Sequence, residues 1–329
     1  MVESSLWHPV ALVSDVAHTP VAVQLLDQPV VLWRDGLDGG GGVQAFADQC
    51  PHRGARLSLG RVTAEGQLEC PYHGWQFAAS GQCTLVPALP AFVPPPTQCA
   101  RRFETREAYG LVWVRMQGDA SMLPAVGAED DARLRKLNCG PYDVATSAPR
   151  IIENFLDMSH FGFVHEGWLG SRDTTAMDDY CVELTATGLL ATGCKAWQPQ
   201  SNLHSTAAAQ VEYTYEVIAP YSAVLTKVPQ AGTTAVDGWR ESIALFICPL
   251  TPTTSRVWFR LAVADFESPD EKLQAFQHTI FTQDQPILES QRPQLLPLNV
   301  RAEMHTAADK ASSAYRRFLR QSGVTFGVC

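Results

Sequence analysis

Two short loops near the start of the chain each carry one cysteine and one histidine. Cys50 and His52 lie in CPHRGA, and Cys70 and His73 lie in CPYHGW. A thiolate and an imidazole this close on a tight loop can both reach one metal centre, so two loops supply four ligands. A Rieske [2Fe-2S] cluster binds one iron through two cysteines and the other through two histidines. The pattern therefore predicts that Cys50 and Cys70 hold one iron, and that His52 and His73 hold the other.

Zinc bound by two cysteines and two histidines is an alternative interpretation of the same residues. Zinc sites of that kind usually pair cysteine with cysteine and histidine with histidine, which these loops do not. Two unconnected pairs in a protein core are the remaining alternative. Gly54 and Gly74 favour the cluster, because a glycine after each histidine lets backbone amides approach the sulfides.

A second candidate metal site lies in RIIENFLDMSHFGFVHEGW. Asn154, Asp157 and His160 recur every three residues, which predicts that they share one face of a helix. His165 comes five residues after His160, so a continuous helix would turn it away by about 140°. Both imidazoles can converge on one metal only if the helix ends between them, and Gly162 permits that. Two histidines on a helix are otherwise more often ordinary core or surface residues.

Composition limits the possible partners. The chain has 329 residues, 46% of them hydrophobic and 18% charged, which is typical of a globular protein with room for two domains. A net charge of -9 without a basic patch argues against nucleic acid. No run approaches the roughly 20 apolar residues that span a bilayer, and MVESSLWHPV lacks the features of a secretory signal. We therefore expect a cytoplasmic protein without membrane contact.

The order of elements predicts an α+β protein with two domains. Residues 1–118 consist of short strands and turns, which predicts a small antiparallel β domain with the two loops at its tip. Residues 119–149 contain mixed charges and three prolines, which predicts a linker or an irregular crossing segment. Residues 150–329 alternate strands with helices, which predicts an antiparallel sheet with one face covered.

Two helices are predicted in the last quarter of the chain. The first begins at Ser268, an N-cap followed by a first-turn proline, and ends near Pro293. Asp284 lies in this helix, just before a kink expected at Pro286. The second helix is predicted from about Ala302 to Gln321, with its apolar side chains along one side.

The two cysteine–histidine loops, the segment ENFLDMSHFGFVH and the segment QDQPILESQ follow one another in the order and at the separations found in one enzyme family. The chain resembles the oxygenase component of the Rieske non-haem iron oxygenases over nearly its whole length. WHPVALV, EAYGLVWVRM and SSAYRRFLR are similar to its short demethylase and monooxygenase members, which act on methylxanthines, vanillate and dicamba. The resemblance implies a Rieske domain followed by a catalytic domain of the helix-grip type, assembled as a head-to-tail homotrimer.

The resemblance also implies a ligand set for a mononuclear Fe(II). In this family two histidines and one carboxylate bind one face of the metal and leave positions open for oxygen. His160 and His165 match the histidines, and Asp284 occupies the position of the carboxylate. Four other carboxylates lie near the same motifs and stay open as alternatives: Glu153, Glu166, Glu289 and Asp265.

Two interpretations stay open for each of Asp157 and Asn154. By resemblance, Asp157 links the ligand His160 to His73 of a neighbouring subunit, where its carboxylate orients both rings and couples the two metal sites. A surface aspartate on a helix is the plain alternative. Asn154 either approaches the iron or satisfies buried polar groups.

The resulting hypothesis is a terminal oxygenase that uses O2 and electrons supplied by a separate reductase or ferredoxin. The chain contains no flavin or nicotinamide fingerprint, so NAD(P)H would contribute only through that partner. Hydroxylation of a methyl group on nitrogen or oxygen of a small aromatic or heterocyclic substrate would release formaldehyde. Ring dihydroxylation is the alternative. A non-enzymatic Rieske electron carrier is less favoured, because a carrier has no use for a second iron site.

Aromatic side chains of the second domain are candidate walls of the substrate pocket, although each fits a protein core equally well. The candidates are Trp197, Tyr213, Tyr215, Phe246 and Trp258. The motifs do not identify the substrate.

Overall fold

The computed structural model describes residues 1–36, 40–118, 122–236 and 238–329. The chain divides into two compact units, Glu3–Met122 and, with the first two residues of the chain, Leu123–Cys329. The sequence predicts a domain boundary between residues 118 and 119. Residues 119–121 lie outside the described residues. Both units are built on antiparallel sheets, and the described α-helices belong to the second unit. The predicted α+β class is confirmed.

The first unit has ten strands in its described residues, arranged in two sheets. They are β1 (His8–Leu12), β2 (Val21–Leu25), β3 (Gln28–Arg34), β4 (Val43–Ala47), β5 (Arg61–Val62), β6 (Leu68–Glu69), β7 (Gln76–Phe77), β8 (Cys83–Leu85), β9 (Arg102–Ala108) and β10 (Leu111–Arg115). One sheet has the order β1-β10-β9-β4-β3-β2, and the other has the order β5-β6-β7-β8. The first cysteine–histidine loop lies between β4 and β5, and the second joins β6 to β7.

The second unit is a seven-stranded sheet with helices packed against it. Its elements are β11 (Arg135–Val144), α1 (Ala148–Phe155), α2 (Phe161–Val164), β12 (Cys181–Leu184), β13 (Leu189–Gln198), β14 (Ala209–Ala219), β15 (Ser222–Pro229), β16 (Glu241–Thr251), β17 (Thr254–Val263), α3 (Asp270–Ser290) and α4 (Lys310–Gln321). The strand order is β11-β17-β16-β15-β14-β13-β12. Helix α1 packs on β15 and β16, α3 packs on β11, and α4 packs on β12 and β13.

The segment predicted to be irregular, 119–149, differs from the structure over Arg135–Val144. These residues form β11, which pairs with β17 at one edge of the sheet. Gly140 and Pro141 hide the strand in the sequence, because they interrupt its alternating pattern. The register shifts between Cys139 and Tyr142, so the strand passes this dipeptide as a bulge, which an edge strand tolerates.

The last helix begins later than predicted. Helix α4 starts at Lys310, after a short 3-10 turn at Ala307–Asp309. The hydroxyl oxygen of Thr306 accepts a hydrogen bond from the Ala308 amide, and the Asp309 carboxylate accepts one from the Thr306 amide at 2.6 Å. This reciprocal cap fixes the turn and delays the helix. Helix α3 lies within its predicted range and contains Pro286.

Among the described residues, no helix is both long enough and apolar enough to cross a bilayer.

The spacing between the two loops depends on a close backbone approach at Gly60. A β-carbon at this position would lie 1.9 Å from the carbonyl oxygen of Glu69, the last residue of β6. We predict that Gly60→Ala separates β5 from β6, lowers the free energy of unfolding by about 2 kcal/mol or more, and reduces cluster content. Chemical denaturation and visible absorbance measure the two effects.

The control for this substitution is Gly42→Ala. The nearest atoms to a β-carbon at Gly42 are side-chain atoms of Gln44 and Asp35, at 3.7 and 3.9 Å, so the same change introduces no clash. Equal stability and equal cluster absorbance in the two variants would contradict the prediction.

Candidate metal centres

The two cysteine–histidine loops have the same backbone conformation. In the first, the Gly54 amide donates to the Cys50 carbonyl at 2.9 Å; in the second, the Gly74 amide donates to the Cys70 carbonyl at 3.0 Å. Both glycines adopt positive φ angles, 73° and 68°, which only glycine adopts readily. Each loop therefore places its cysteine and its glycine in the same way, whereas the histidine is the third residue in the first loop and the fourth in the second.

The four predicted cluster ligands form one pair of cysteines and one pair of histidines. Cys50 and Cys70 are each 2% exposed, and their thiols are hydrogen-bond neighbours. Burial raises the pKa of the Cys50 thiol to about 11, and the adjacent Cys70 contributes in the same direction. The ring centroids of His52 and His73 lie 4.6 Å apart.

These residues fit a metal cluster better than a metal-free polar core. In the described part of the chain, Nδ1 of His52 is buried without a hydrogen-bond partner. Burial and the nearby His73 and Arg53 lower the pKa of His52, which favours the neutral ring that a metal requires. A cation would compensate two buried thiolates and the unpartnered nitrogen together. Trp75 stacks on His52 at 4.4 Å and limits the movement of its ring.

The second site forms where the first helix of the catalytic unit ends. The prediction that Asn154, Asp157 and His160 share one helical face is wrong, because α1 ends at Phe155. Oδ1 of Asp157 accepts hydrogen bonds from the backbone amide of Ser159, at 2.8 Å, and from its hydroxyl. Such local bonds to a side chain compete with helical ones.

The break between α1 and α2 brings the two histidines together. His160 precedes α2 and His165 follows it, so neither depends on the spacing of a continuous helix. Their Nε2 atoms lie 3.2 Å apart, and Oδ1 of Asp284 on α3 lies 3.4 Å from one and 3.3 Å from the other. His165 is 1% exposed and Asp284 is 7% exposed.

Outer hydrogen bonds orient both imidazoles toward this point. Nδ1 of His165 lies 2.8 Å from Oε1 of Gln283, and Nδ1 of His160 lies 3.2 Å from Oδ2 of Asp157. Because both partners are oxygen acceptors, each Nδ1 carries the proton and both Nε2 lone pairs face each other. Two facing lone pairs and a carboxylate oxygen form a cation site, and these ligand atoms all lie within 4.8 Å of one another.

The other predicted residues occupy different positions. Nδ2 of Asn154 donates to Oδ1 of Asp284 at 3.3 Å, so the amide lies beside the proposed ligand. Burial lowers the pKa of His160, but the carboxylates of Asp157 and Asp284 outweigh it and raise the pKa. The sequence analysis missed Gln283, since nothing in the spacing distinguishes it from its neighbours.

The four alternative carboxylates are engaged elsewhere. Asp265 lies beside His204, Glu166 binds Arg172, and Glu289 accepts a hydrogen bond from the Ala145 amide. Glu153 forms ion pairs with two arginines, Arg150 and Arg316.

A largely apolar cavity adjoins the three converging side chains. It encloses about 610 Å³ of empty space, part of it open to solvent. Its lining includes Asn154, Phe155, Phe161, Tyr213, Tyr215, Leu225, Lys227, Ile243, Phe259, Phe276, Gln277 and Ile280. Two of the candidate wall residues, Tyr213 and Tyr215, therefore line the cavity. Phe246 pairs with Trp258 on the other face of the sheet, and Trp197 lines a separate depression.

Known protein families match both units of the chain. Residues 6–101 match the Rieske [2Fe-2S] domain, and residues 144–323 match the vanillate O-demethylase oxygenase C-terminal domain. The chain is 32% identical over 330 residues to methylxanthine N1-demethylase NdmA of Pseudomonas putida, covering 96% of this chain and 88% of that protein. The chain belongs to the Rieske non-haem iron oxygenases.

Solved structures of Rieske non-haem iron oxygenases share the fold. NdmA of Pseudomonas putida CBB5 with caffeine matches with a TM-score of 0.83 and 29% identity, covering 97% of this chain and 90% of that chain. Dicamba monooxygenase bound to dicamba matches with a TM-score of 0.79, covering 98% of this chain and 97% of that chain. At 21% identity, this likeness concerns the fold alone.

Membership of the Rieske non-haem iron oxygenases confirms the predicted cofactors and enzyme class. The chain is an oxygenase component with a Rieske [2Fe-2S] cluster and a mononuclear iron, and enzymes of this family receive electrons from a separate reductase or ferredoxin. Its relatives include demethylases, which supports oxygenase-mediated demethylation. The assignment of individual ligands stays a prediction.

We predict that Asp284→Ala loses about one iron per chain and retains the two irons of the cluster. The carboxylate is the only anionic member of the proposed ligand set, so its removal leaves two neutral imidazoles. Elemental analysis and the visible absorbance of the cluster measure the two centres separately.

Glu289→Ala is the matched control, because it removes a carboxylate from the same helix. It should retain all of the iron. Loss of iron from Glu289→Ala, or full iron content in Asp284→Ala, would contradict the proposed ligand set.

Proposed function

We propose that this oxygenase removes a methyl group from nitrogen or oxygen of a small aromatic or heterocyclic substrate and releases formaldehyde. The observation that carries the proposal is the position of the three converging side chains in the wall of an apolar cavity. Ring dihydroxylation would use the same side chains, but the relatives named as demethylases favour demethylation.

The cavity walls suit a flat ring. Tyr213 and Tyr215 stack with their ring centroids 5.6 Å apart and their planes 10° apart. Phe155 stands edge-on to Tyr215 at 6.1 Å. Aromatic side chains prefer such stacked and edge-on contacts with another ring.

His160, His165 and Asp284 would hold the mononuclear iron, which when bound supplies the activation of O2. In the overall reaction, O2, two electrons and two protons insert one oxygen atom into a methyl C–H bond and form water. The C–N or C–O bond of the hydroxymethyl product then breaks, the hydroxyl proton passes to that nitrogen or oxygen, and the carbon leaves as formaldehyde. Gln283 and Asp157 orient the imidazoles, and the apolar walls exclude water from the reacting carbon.

Asp157 is the proposed route for electrons into the catalytic site. Oδ2 contacts Nδ1 of His160, and 34% of the side chain is exposed in a surface depression that also contains the fully exposed Met304. His73 and Tyr72 are exposed at the tip of the first unit. These two exposed ends support contact between the cluster of one subunit and Asp157 of the next, in a head-to-tail homotrimer.

We assign a separate function to each predicted domain. Residues 1–118 would accept electrons through Cys50, His52, Cys70 and His73, and residues 150–329 would bind substrate and oxygen. The connecting segment 119–149 adds β11 to the catalytic sheet.

The test supplies the purified holoenzyme with a surrogate reductase, NADH and a panel of N- and O-methylated aromatic and heterocyclic compounds. We predict that at least one compound gives formaldehyde in about equal amount to the oxygen consumed, as a monooxygenation requires. Formaldehyde and oxygen are measured in the same reaction, and the ring products are identified by mass spectrometry. A cis-diol product would contradict demethylation.

A further inference from the structure

A buried ion pair has one member, Lys227, in the lining of the substrate cavity. Nζ of Lys227 lies 3.0 Å from Oε2 of Glu241, and the two side chains are 5% and 8% exposed. Nζ also donates to the carbonyl oxygen of Ser201 at 2.8 Å. Lys227 lines the cavity, and its Nζ lies 5.8 Å from the centre of the Phe276 ring.

The sheet fixes this pair by strand register. Lys227 on β15 lies opposite Tyr213 on β14 and opposite Glu241 on β16, so the three form one row across the sheet. The next row, two residues along each strand, contains Tyr215, which also lines the cavity. Side chains two residues apart on a strand point to the same face. Lys227 therefore lines the cavity on the same sheet face as Tyr213 and Tyr215, and Glu241 lies beside it on β16.

The pair leaves no unpaired lysine or arginine in the described lining of the cavity for an anionic substrate. A buried charge is costly unless it is paired, and Glu241 already pairs the charge of Lys227. Among the described residues that line the cavity, the remaining charged group outside the histidines is Asp284, which belongs to the iron site. A substrate carboxylate that enters the cavity would lose its hydration shell. It could pair with the ammonium group of Lys227 only by competing with Glu241.

Lys227 still has a donor available for a substrate. An ammonium group carries three N–H donors, and Nζ donates one of them to the Ser201 carbonyl, whereas its contact with Oε2 of Glu241 is an ion pair without hydrogen-bond geometry. A further donor can bind a neutral acceptor, such as a carbonyl oxygen on the ring of a substrate. A carbonyl accepts this bond without bringing a second negative charge.

We propose that the cavity selects a neutral ring substrate with a carbonyl or similar acceptor, that Lys227 donates to this acceptor, and that Glu241 excludes carboxylates. The inference rests on the proposed function, because it takes this cavity as the substrate site. Specificity here comes from a group that disfavours the wrong ligand as well as from one that binds the right ligand.

The experiment compares para-methoxybenzamide with para-methoxybenzoate, which have the same shape and differ in charge. Equilibrium dialysis without oxygen or reductase measures their dissociation constants with the holoenzyme. We expect the wild type to bind the amide at least about tenfold more tightly than the carboxylate. In Glu241→Gln the charge of Lys227 is released, so carboxylate binding should strengthen by about tenfold while amide binding changes little.

Two further variants separate charge from folding. Glu212→Gln removes the same charge from the exposed face of β14 and should leave both constants unchanged. The double variant Lys227→Gln with Glu241→Gln removes both charges and keeps groups that can hydrogen-bond, so it should bind the amide and still reject the carboxylate.

The inference is overturned if the wild type prefers the carboxylate, if it does not bind the amide, or if Glu241→Gln leaves the ratio of the two constants unchanged. Its failure is distinguishable from failure of the proposed function. Binding is measured without turnover, so an enzyme that binds neutral rings but releases no formaldehyde would contradict demethylation alone.

Discussion

The convergence of two imidazoles and one carboxylate on a single point is the constraint on which the catalytic unit depends. His160 and His165 are separated by five residues, a spacing that turns side chains apart by about 140° on a continuous helix. The chain resolves this conflict by ending α1 early and placing the two histidines on either side of the short helix α2. Both oxygens of the Asp157 carboxylate contribute to this arrangement. Oδ1 accepts a hydrogen bond from the Ser159 amide beyond the end of α1, and Oδ2 contacts Nδ1 of His160. The helix break and the orientation of a ligand thus depend on one carboxylate.

The surrounding elements hold this break in place. Helix α3 carries Asp284 and Gln283 to the histidines, and it packs against β11 at the edge of the sheet. A buried network of ion pairs ties α1 to α4 and to the segment before it, and its members are Arg150, Glu153, Glu303 and Arg316. Burial alone would raise the pKa of Glu303, but the two guanidinium groups hold it at about 2. Removing one member would leave the network with one uncompensated charge, so the four side chains together fix the end of α1 near the proposed iron site.

Short local motifs predicted the metal sites more accurately than the spacing of residues along a presumed helix. The cluster loops could be predicted because each turn is complete within six residues, with its glycine at the position of positive φ. The sequence identified His160 and His165 as candidates but placed the end of the helix too late, because the hydrogen bonds of Asp157 to Ser159 outweigh helix continuation. Asp284 lies far along the chain, so only the family resemblance pointed to it.

Other features depend on tertiary pairing and had no sequence signal. Strand β11 follows a bulge at Gly140 and Pro141, which removes the alternation by which strands are predicted. The Lys227–Glu241 pair arises from the register of β15 and β16, and Gln283 is distinguished from other glutamines only by its contact with His165. Cross-strand and helix-to-loop contacts of this kind are set by the fold as a whole.

The proposed role of Asp157 as the link between the two metal sites is tested most directly by a single turnover. Holoenzyme with its cluster reduced beforehand and substrate bound is mixed with oxygen, and reoxidation of the cluster is followed by absorbance. Asp157→Asn keeps an oxygen that can accept from Ser159 but loses the charge beside His160. The account predicts that both metals stay bound and that reoxidation slows by about a hundredfold or more. Reoxidation at the wild-type rate would contradict it.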